Sequence, residues 1–215
     1  MNRWLALLLL VLALPASAGD YGYGYGGSND ARSSVMLRVR ADVLAVPLVL
    51  RADKRDMAER VQSLSTGRAT LLAAARQKGW ELVNGVVQAP AAGTGKLSSL
   101  TGTSAEWRFT LHVPLQETTD PFGAMAAVIR WADTFKPADG VEMSIGPIVP
   151  SLRDPQKYRP QLLKLIAEEV ARTREAIPGT LPAQIGGLEN AVVLRAVDER
   201  EVQLSLAYTL SLEKR

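Results

Sequence analysis

The sequence predicts an α+β fold: a largely antiparallel sheet, two or three amphipathic helices packed on one face, and a terminal β-hairpin. Three observations carry that prediction. Several segments alternate apolar and polar residues, which is the period of a half-buried strand. Others repeat apolar residues every three or four positions, as a helix against a core does. The order that results, β-β-α-β-β-α-β-α-β-β, mixes hairpins with helix crossovers and so favours helices against an antiparallel sheet.

Order is expected to begin near Val35. Val35, Leu37 and Val39 alternate with polar partners, and Val43 to Leu50 continues as a stronger extended run. Pro47 lacks a ladder donor, which predicts an edge strand or a bulge there. Asp53 or Asp56 opens a helix with Met57, Val61, Leu64, Leu71, Leu72 and Ala75 inward and Arg60, Arg68 and Arg76 outside. Gly79 stops it. Trp80 to Gln88 reads as a strand, and Ala89 to Ser104 as a loop rich in Gly, Ser and Thr.

A second unit follows. Trp107, Phe109, Leu111, Val113 and Leu115 alternate with Arg108, Thr110 and His112. Asp120-Pro121 is a cap with proline at the first helical position, and Phe122, Met125, Ala126, Ile129 and Ala132 are the expected buried face. Lys136-Pro137 ends that helix, and Val141 to Val149 is the next strand. Asp154-Pro155 repeats the cap for a longer helix with Tyr158, Leu162, Leu165, Ile166, Val170 and Ile177 on its apolar face. Pro178-Gly179 terminates it. Ala191 to Val197, a turn at Asp198-Glu199-Arg200 and Val202 to Leu212 close the chain as a hairpin with one wet face.

The start of the chain has a different character. Arg3 is followed by an apolar stretch from Trp4 to Leu14 and then Pro15-Ala16-Ser17-Ala18. That order predicts a signal peptide over residues 1–18, with Ala16 and Ala18 fitting the peptidase subsites and Gly19 beginning the mature chain. The apolar core is shorter than the ~20 residues of a membrane span. Residues 19–34, with Tyr21-Gly22-Tyr23-Gly24-Tyr25-Gly26-Gly27, read as a flexible Gly/Tyr-rich segment. Residues 35–215 are the expected single α+β domain.

Composition narrows the function classes. There is no Cys, hence no disulfide, no lipid-bearing thiol and no thiolate ligand. An exported chain large enough to do without disulfides points to the periplasm of a Gram-negative cell. Removing residues 1–18 removes Arg3 alone among charged side chains, leaving 24 basic against 22 acidic. The two signs alternate along the chain, so no nucleic-acid face is expected.

The chemistry-bearing residues are sparse. His112 is the single histidine, and it lies on the strand face opposite the apolar side chains, where a solvated or sheet-neighbouring role is expected. Ala92-Gly93-Thr94-Gly95-Lys96-Leu97-Ser98 imitates a phosphate loop, but Pro90 stands where its first glycine belongs and Leu97 where the hydroxyl belongs. Glu168-Glu169 beside Arg172 and Arg174, and Asp198-Glu199 with Glu201, read as surface carboxylates. Trp80, Trp107 and Trp131 are candidates for lining an apolar pocket, although core packing is the commoner use of such residues. No catalytic residue, metal ligand or cofactor is predicted.

The element order resembles the SIMPL-domain family of bacterial periplasmic and envelope proteins over most of Val35 to Leu212. The likeness rests on the proline-bearing strand Val43 to Leu50, the long helix after it and the middle unit from Trp107 to Val149. It rests also on Ser151-Leu152-Arg153-Asp154-Pro155 before a long helix, and on the alternating last strand. Leu37-Arg38-Val39-Arg40 stands where the family has a glycine-rich strand, and the alanine repeat of the last helix is partial, at Ala167, Ala171 and Ala176. The resemblance implies an α+β envelope protein with no established catalytic residues, and some members of the family assemble into large rings.

The leading expectation is therefore a non-enzymatic periplasmic protein acting by self-assembly or by binding an envelope partner, with protection against envelope stress as its setting. Val202, Leu204, Leu206, Tyr208 and Leu210 form the expected assembly strand, read as an exposed edge. A periplasmic carrier of a small apolar ligand held near the tryptophans is the alternative, and a carboxylate-dependent envelope enzyme the second alternative.

Overall fold

The first described extended run turns from one set of neighbours to another at Ala41 and Asp42. Strand β1 (Ser33–Arg40) ends there and β2 (Val43–Ala52) begins. Between them the Ala41 amide donates to the Arg200 carbonyl, and the Asp42 amide to that of Ser151. In the computed structural model, which describes residues 33–54, 56–88, 105–177 and 180–214, the strands accordingly form two antiparallel sheets. The fold is α+β. The leader over residues 1–18 with Ala16, Ala18 and Gly19, most of the Gly/Tyr-rich segment and the phosphate-loop-like run lie outside the described residues.

The five-stranded sheet has the order β3-β4-β2-β5, from β3 (Glu81–Gln88), β4 (Ala105–Pro114), β2 and β5 (Val141–Ile145). The fifth strand, β6 (Val149–Ser151), also pairs with β2. Leu44, Val46, Leu48 and Leu50 of β2 and Phe109, Leu111 and Val113 of β4 point to one side. Helices α1 (Met57–Gln77) and α2 (Pro121–Thr134) cover that side with Leu64, Leu71, Ala75, Val128 and Trp131. The second sheet is terminal in sequence. Its centre is β9 (Glu201–Lys214), with β1 on one side and β7 (Thr180–Gly186) and β8 (Val193–Ala196) on the other. Leu162, Ile166 and Val170 of α3 (Arg159–Ala176) meet Val202, Leu204, Leu206 and Tyr208 there. Leu115 packs against both cores.

Most helix ends follow the sequence. Asp56 accepts from the Ala58 and Glu59 amides, and Asp120 from those of Phe122 and Gly123. Asp154 caps a single 3-10 turn over Pro155–Tyr158 that leads into α3. Gly79 has φ of 70°, and the Gly79 and Trp80 amides donate back to Arg76 and Ala75, closing α1 in a Schellman motif.

Several expectations need correcting. Pro47, expected on an edge strand or at a bulge, sits on an inner strand at a break in one ladder, because β5 pairs with β2 from Leu48 onward and β6 only up to Ala45. The chain between them bows at Gly146, whose amide donates to the Pro47 carbonyl at 2.7 Å. The missing donor thus falls where the ladder is already interrupted, and the expected strand from Val141 to Val149 becomes two. The inner line of α1 is Arg60, Leu64, Gly67, Leu71 and Ala75, while Val61 is exposed. Arg60 can be buried because its Nε donates to the Lys54 carbonyl. Gly67 lets the helix approach the sheet: a Cβ there would stand 3.2 Å from Val141 Cγ1. On α2 the buried residues are Pro121, Val128 and Trp131, so Phe122 and Ile129, expected inside, lie outside. Ile177 caps α3 and is exposed. Strand β7 was not expected at all; Pro182 and Gly186 obscure its alternation.

Candidate functional site

Chemistry-bearing side chains gather at the joint between the two sheets. Asp42 sits where the chain passes from β1 to β2 and uses nearly every polar atom it has. Its amide donates to Ser151, its carbonyl accepts from the Leu115 amide at 2.9 Å, and its Oδ1 accepts from the Arg153 amide at 2.7 Å. Lys157 Nζ lies 3.3 Å from its Oδ2, which raises the lysine pKa. Arg153 reaches on to Glu81 of β3, with Nε 3.4 Å from Oε2. Two carboxylates are thus matched by two cations across the segment that connects β6 to α3.

His112 lies among these groups. It is directly opposite Glu81 on β3 and Ala45 on β2, on the sheet face away from α1 and α2. Of the two expected roles, solvated or sheet-neighbouring, it has the second: the residue is only 8% exposed, and its Nδ1 is buried without a hydrogen-bond partner among the described residues. Burial pushes the imidazole pKa below its ordinary value; Glu81 and Asp42 pull it up, and Arg153 pushes it further down. The neutral ring is the form this environment favours. Asp42, Glu81, Arg153, Lys157 and His112 thus gather where the chain passes from one sheet to the other. Among the described residues no group of three His, Cys, Asp or Glu is placed to hold a metal ion.

The predicted sites fall elsewhere. The assembly strand is corrected outright. Val202, Leu204, Leu206 and Tyr208 are buried on β9, which is hydrogen-bonded to β1 on one side and to β8 and then β7 on the other. An alternating strand shows which face is buried and says nothing of how many neighbours it has. Leu210 is partly buried against the same core. The tryptophans belong to the core of the five-stranded sheet. Trp80 and Trp131 meet edge to face at 5.1 Å, and Trp131 stacks on Phe135 at 5.0 Å. Trp107 stacks on Phe109 at 5.3 Å under the Arg68 guanidinium. A surface groove of about 530 Å³ lies apart from them, between β1 and α3, lined by Val35, Met36, Leu165, Glu169, Arg172 and Tyr208 among others.

The surface carboxylates behave as expected. Glu169 pairs with Arg172 at 2.9 Å and Glu168 with Lys164 at 3.9 Å. Asp198 accepts from the Arg200 and Glu201 amides and so shapes the β8–β9 turn.

Sequence reasoning missed the outer face of the five-stranded sheet. The side chains of β2, β3 and β6 that point away from α1 and α2 include Pro47, Val49, Val83, Val86 and Val149. Pro47, Val86 and Val149 are exposed. At one end of this band stand Arg51, Glu106, Arg108 and Glu142. The signal was present in Val43, Ala45, Pro47 and Val49, the off-beat positions of an almost continuously apolar strand. No described helix is long and apolar enough to cross a membrane. No family model and no curated protein matches this chain.

Proposed function

We propose that the protein is exported to the periplasm and acts there by binding protein surfaces, its own included, without catalysing a reaction. The supporting observation is the outer face of the five-stranded sheet. Among the described residues helices cover one side only, and the other presents an apolar band with charges at its end. Apolar centres with polar margins are the usual build of protein-binding surfaces. The element order, with its likeness to SIMPL-domain proteins, supports the same reading.

Native mass spectrometry of the chain purified from periplasm tests it. A chain beginning at Gly19 and found at a multiple of its own mass is the expected result. A bare monomer at every concentration removes self-association, and a chain retaining Met1 in the cytoplasm removes export. A single chain carrying a discrete extra mass would instead make it a carrier and direct attention to the groove beside Tyr208.

A further inference from the structure

Helix α2 has the composition of a helix enclosed on all sides. In Pro121–Thr134 the charged residues are Arg130 and Asp133, and nearly all the rest are apolar or small. Such a helix is normally buried all round. The outer sides of α1 and α3 differ, carrying Glu59, Arg68, Lys164 and Glu169 among other polar groups. Yet among the described residues α2 is buried on one side, by way of Pro121, Val128 and Trp131. Phe122 is 65% exposed and Ile129 45%.

The residues on the other side, exposed except for the half-buried Ala126, are ordered. Phe122, Ala126, Ile129 and Asp133 follow one another at spacings of four, three and four, the pattern by which one helix packs along another. Gly123, Ala127 and Arg130 flank that line. We infer that this side of α2 is the surface on which two copies of the chain meet, their α2 helices antiparallel about a two-fold axis near Ala126. The inference rests on the self-association proposed above and gives it a surface of its own, apart from the outer face of the five-stranded sheet.

The arrangement is self-complementary, as a two-fold contact must be. Running antiparallel, Ile129 of one copy falls over the turn from Gly123 to Ala126 of the other, where small side chains leave room. Arg130 falls beside Phe122 of the second copy, a guanidinium against an aromatic face. The two charges of the helix sum to zero, so the copies meet without net repulsion. Antiparallel packing also sets each positive helix end near the other's negative end. One helix of 14 residues is a small contact, so an association in roughly the micromolar range is expected.

Sedimentation equilibrium of residues 19–215 from ~1 to ~100 µM, chosen to bracket that range, is the test. The wild type should rise from one chain mass toward two or more. Ile129→Glu should stay at one chain mass throughout, with an unchanged thermal midpoint, and Phe122→Ser should repeat the loss should Ile129→Glu fail to fold. Val61→Glu, at an equally exposed position of α1, should associate like the wild type. A wild type that associates while both α2 variants associate equally well overturns this surface and leaves self-association standing. A wild type that is monomeric throughout overturns both. A monomer that binds phosphatidylethanolamine–phosphatidylglycerol vesicles, and loses them with Ile129→Glu, gives the stripe to a lipid surface instead.

Discussion

Truncating Leu204 to alanine tests the central position of β9 directly. Leu204 is fully buried and lies between Leu37 of β1 and Leu194 of β8, beneath α3. The change removes three carbons, worth about 2.4 kcal/mol at about 0.8 kcal/mol each. Strands on both sides and a helix above hinder collapse of the site, so a cavity adds about 1 kcal/mol more. The expected loss is about 3–4 kcal/mol. With a urea slope of about 2 kcal/mol per molar, the unfolding midpoint falls by about 1.5–2 M. Met36→Ala on the open face of the same sheet, at 59% exposure, should move stability by less than about 0.5 kcal/mol. Equilibrium urea unfolding followed by tryptophan fluorescence and by circular dichroism reads both variants. A Leu204→Ala shift under about 0.5 M, or about 1 kcal/mol, would mean that β9 is not enclosed and that the two-sided pairing is wrong.

Two further outcomes follow from the joint between the sheets. Burial lowers the folded-state pKa of His112 below its unfolded value near 6.5, so the unfolded chain binds the proton more readily. The stability this contributes is complete above the unfolded value and is lost as pH falls from there through the lower folded value. Urea midpoints should drop across that window in the wild type, and His112→Gln should flatten that part of the profile; an unchanged profile would show that the ring is not desolvated. Asp42→Ala strips the acceptor from the Arg153 amide and frees Lys157, at a cost of about 1–2 kcal/mol. Lys157→Ala alone, breaking a half-exposed ion pair, should cost under about 1 kcal/mol, and equal costs for the two variants would refute the ranking.

What could be read in the sequence was local. The caps at Asp56, Asp120 and Asp154 and the stop at Gly79 each depend on a few neighbouring residues, and so does the alternation of β9. Pairing partners are not local: nothing near Val202 announces that β1 will lie against it. The division into two sheets depends on a turn of the chain at Ala41 and Asp42 that hydrogen bonds to distant carbonyls enforce. In α2 the apolar residues go nearly all round, so periodicity could not decide which side faces the core. Arg60 went inward because a backbone carbonyl waited for it, and His112 is buried with Glu81 opposite it on the next strand and Arg153 acting on it from another segment. The joint around Asp42 was hidden for the same reason, since its members come from four separate stretches of sequence.

The pairing of the first described strand with the last has a consequence for how the chain acquires its shape. Every strand of the five-stranded sheet lies between Val43 and Ser151, so that sheet can close once Ser151 is available. Ser33 must wait for Tyr208 and Arg40 for Glu201. Closing so long a loop is entropically costly until other contacts have shortened the effective distance between its ends. Prior formation of the middle sheet does that, because β2 follows β1 directly and β6 leads by way of α3 to the strands that complete the terminal sheet. The expected order of assembly therefore runs from the middle of the chain outward. A chain that ends before Glu201 leaves β1 without its partner and α3 without most of the surface it covers.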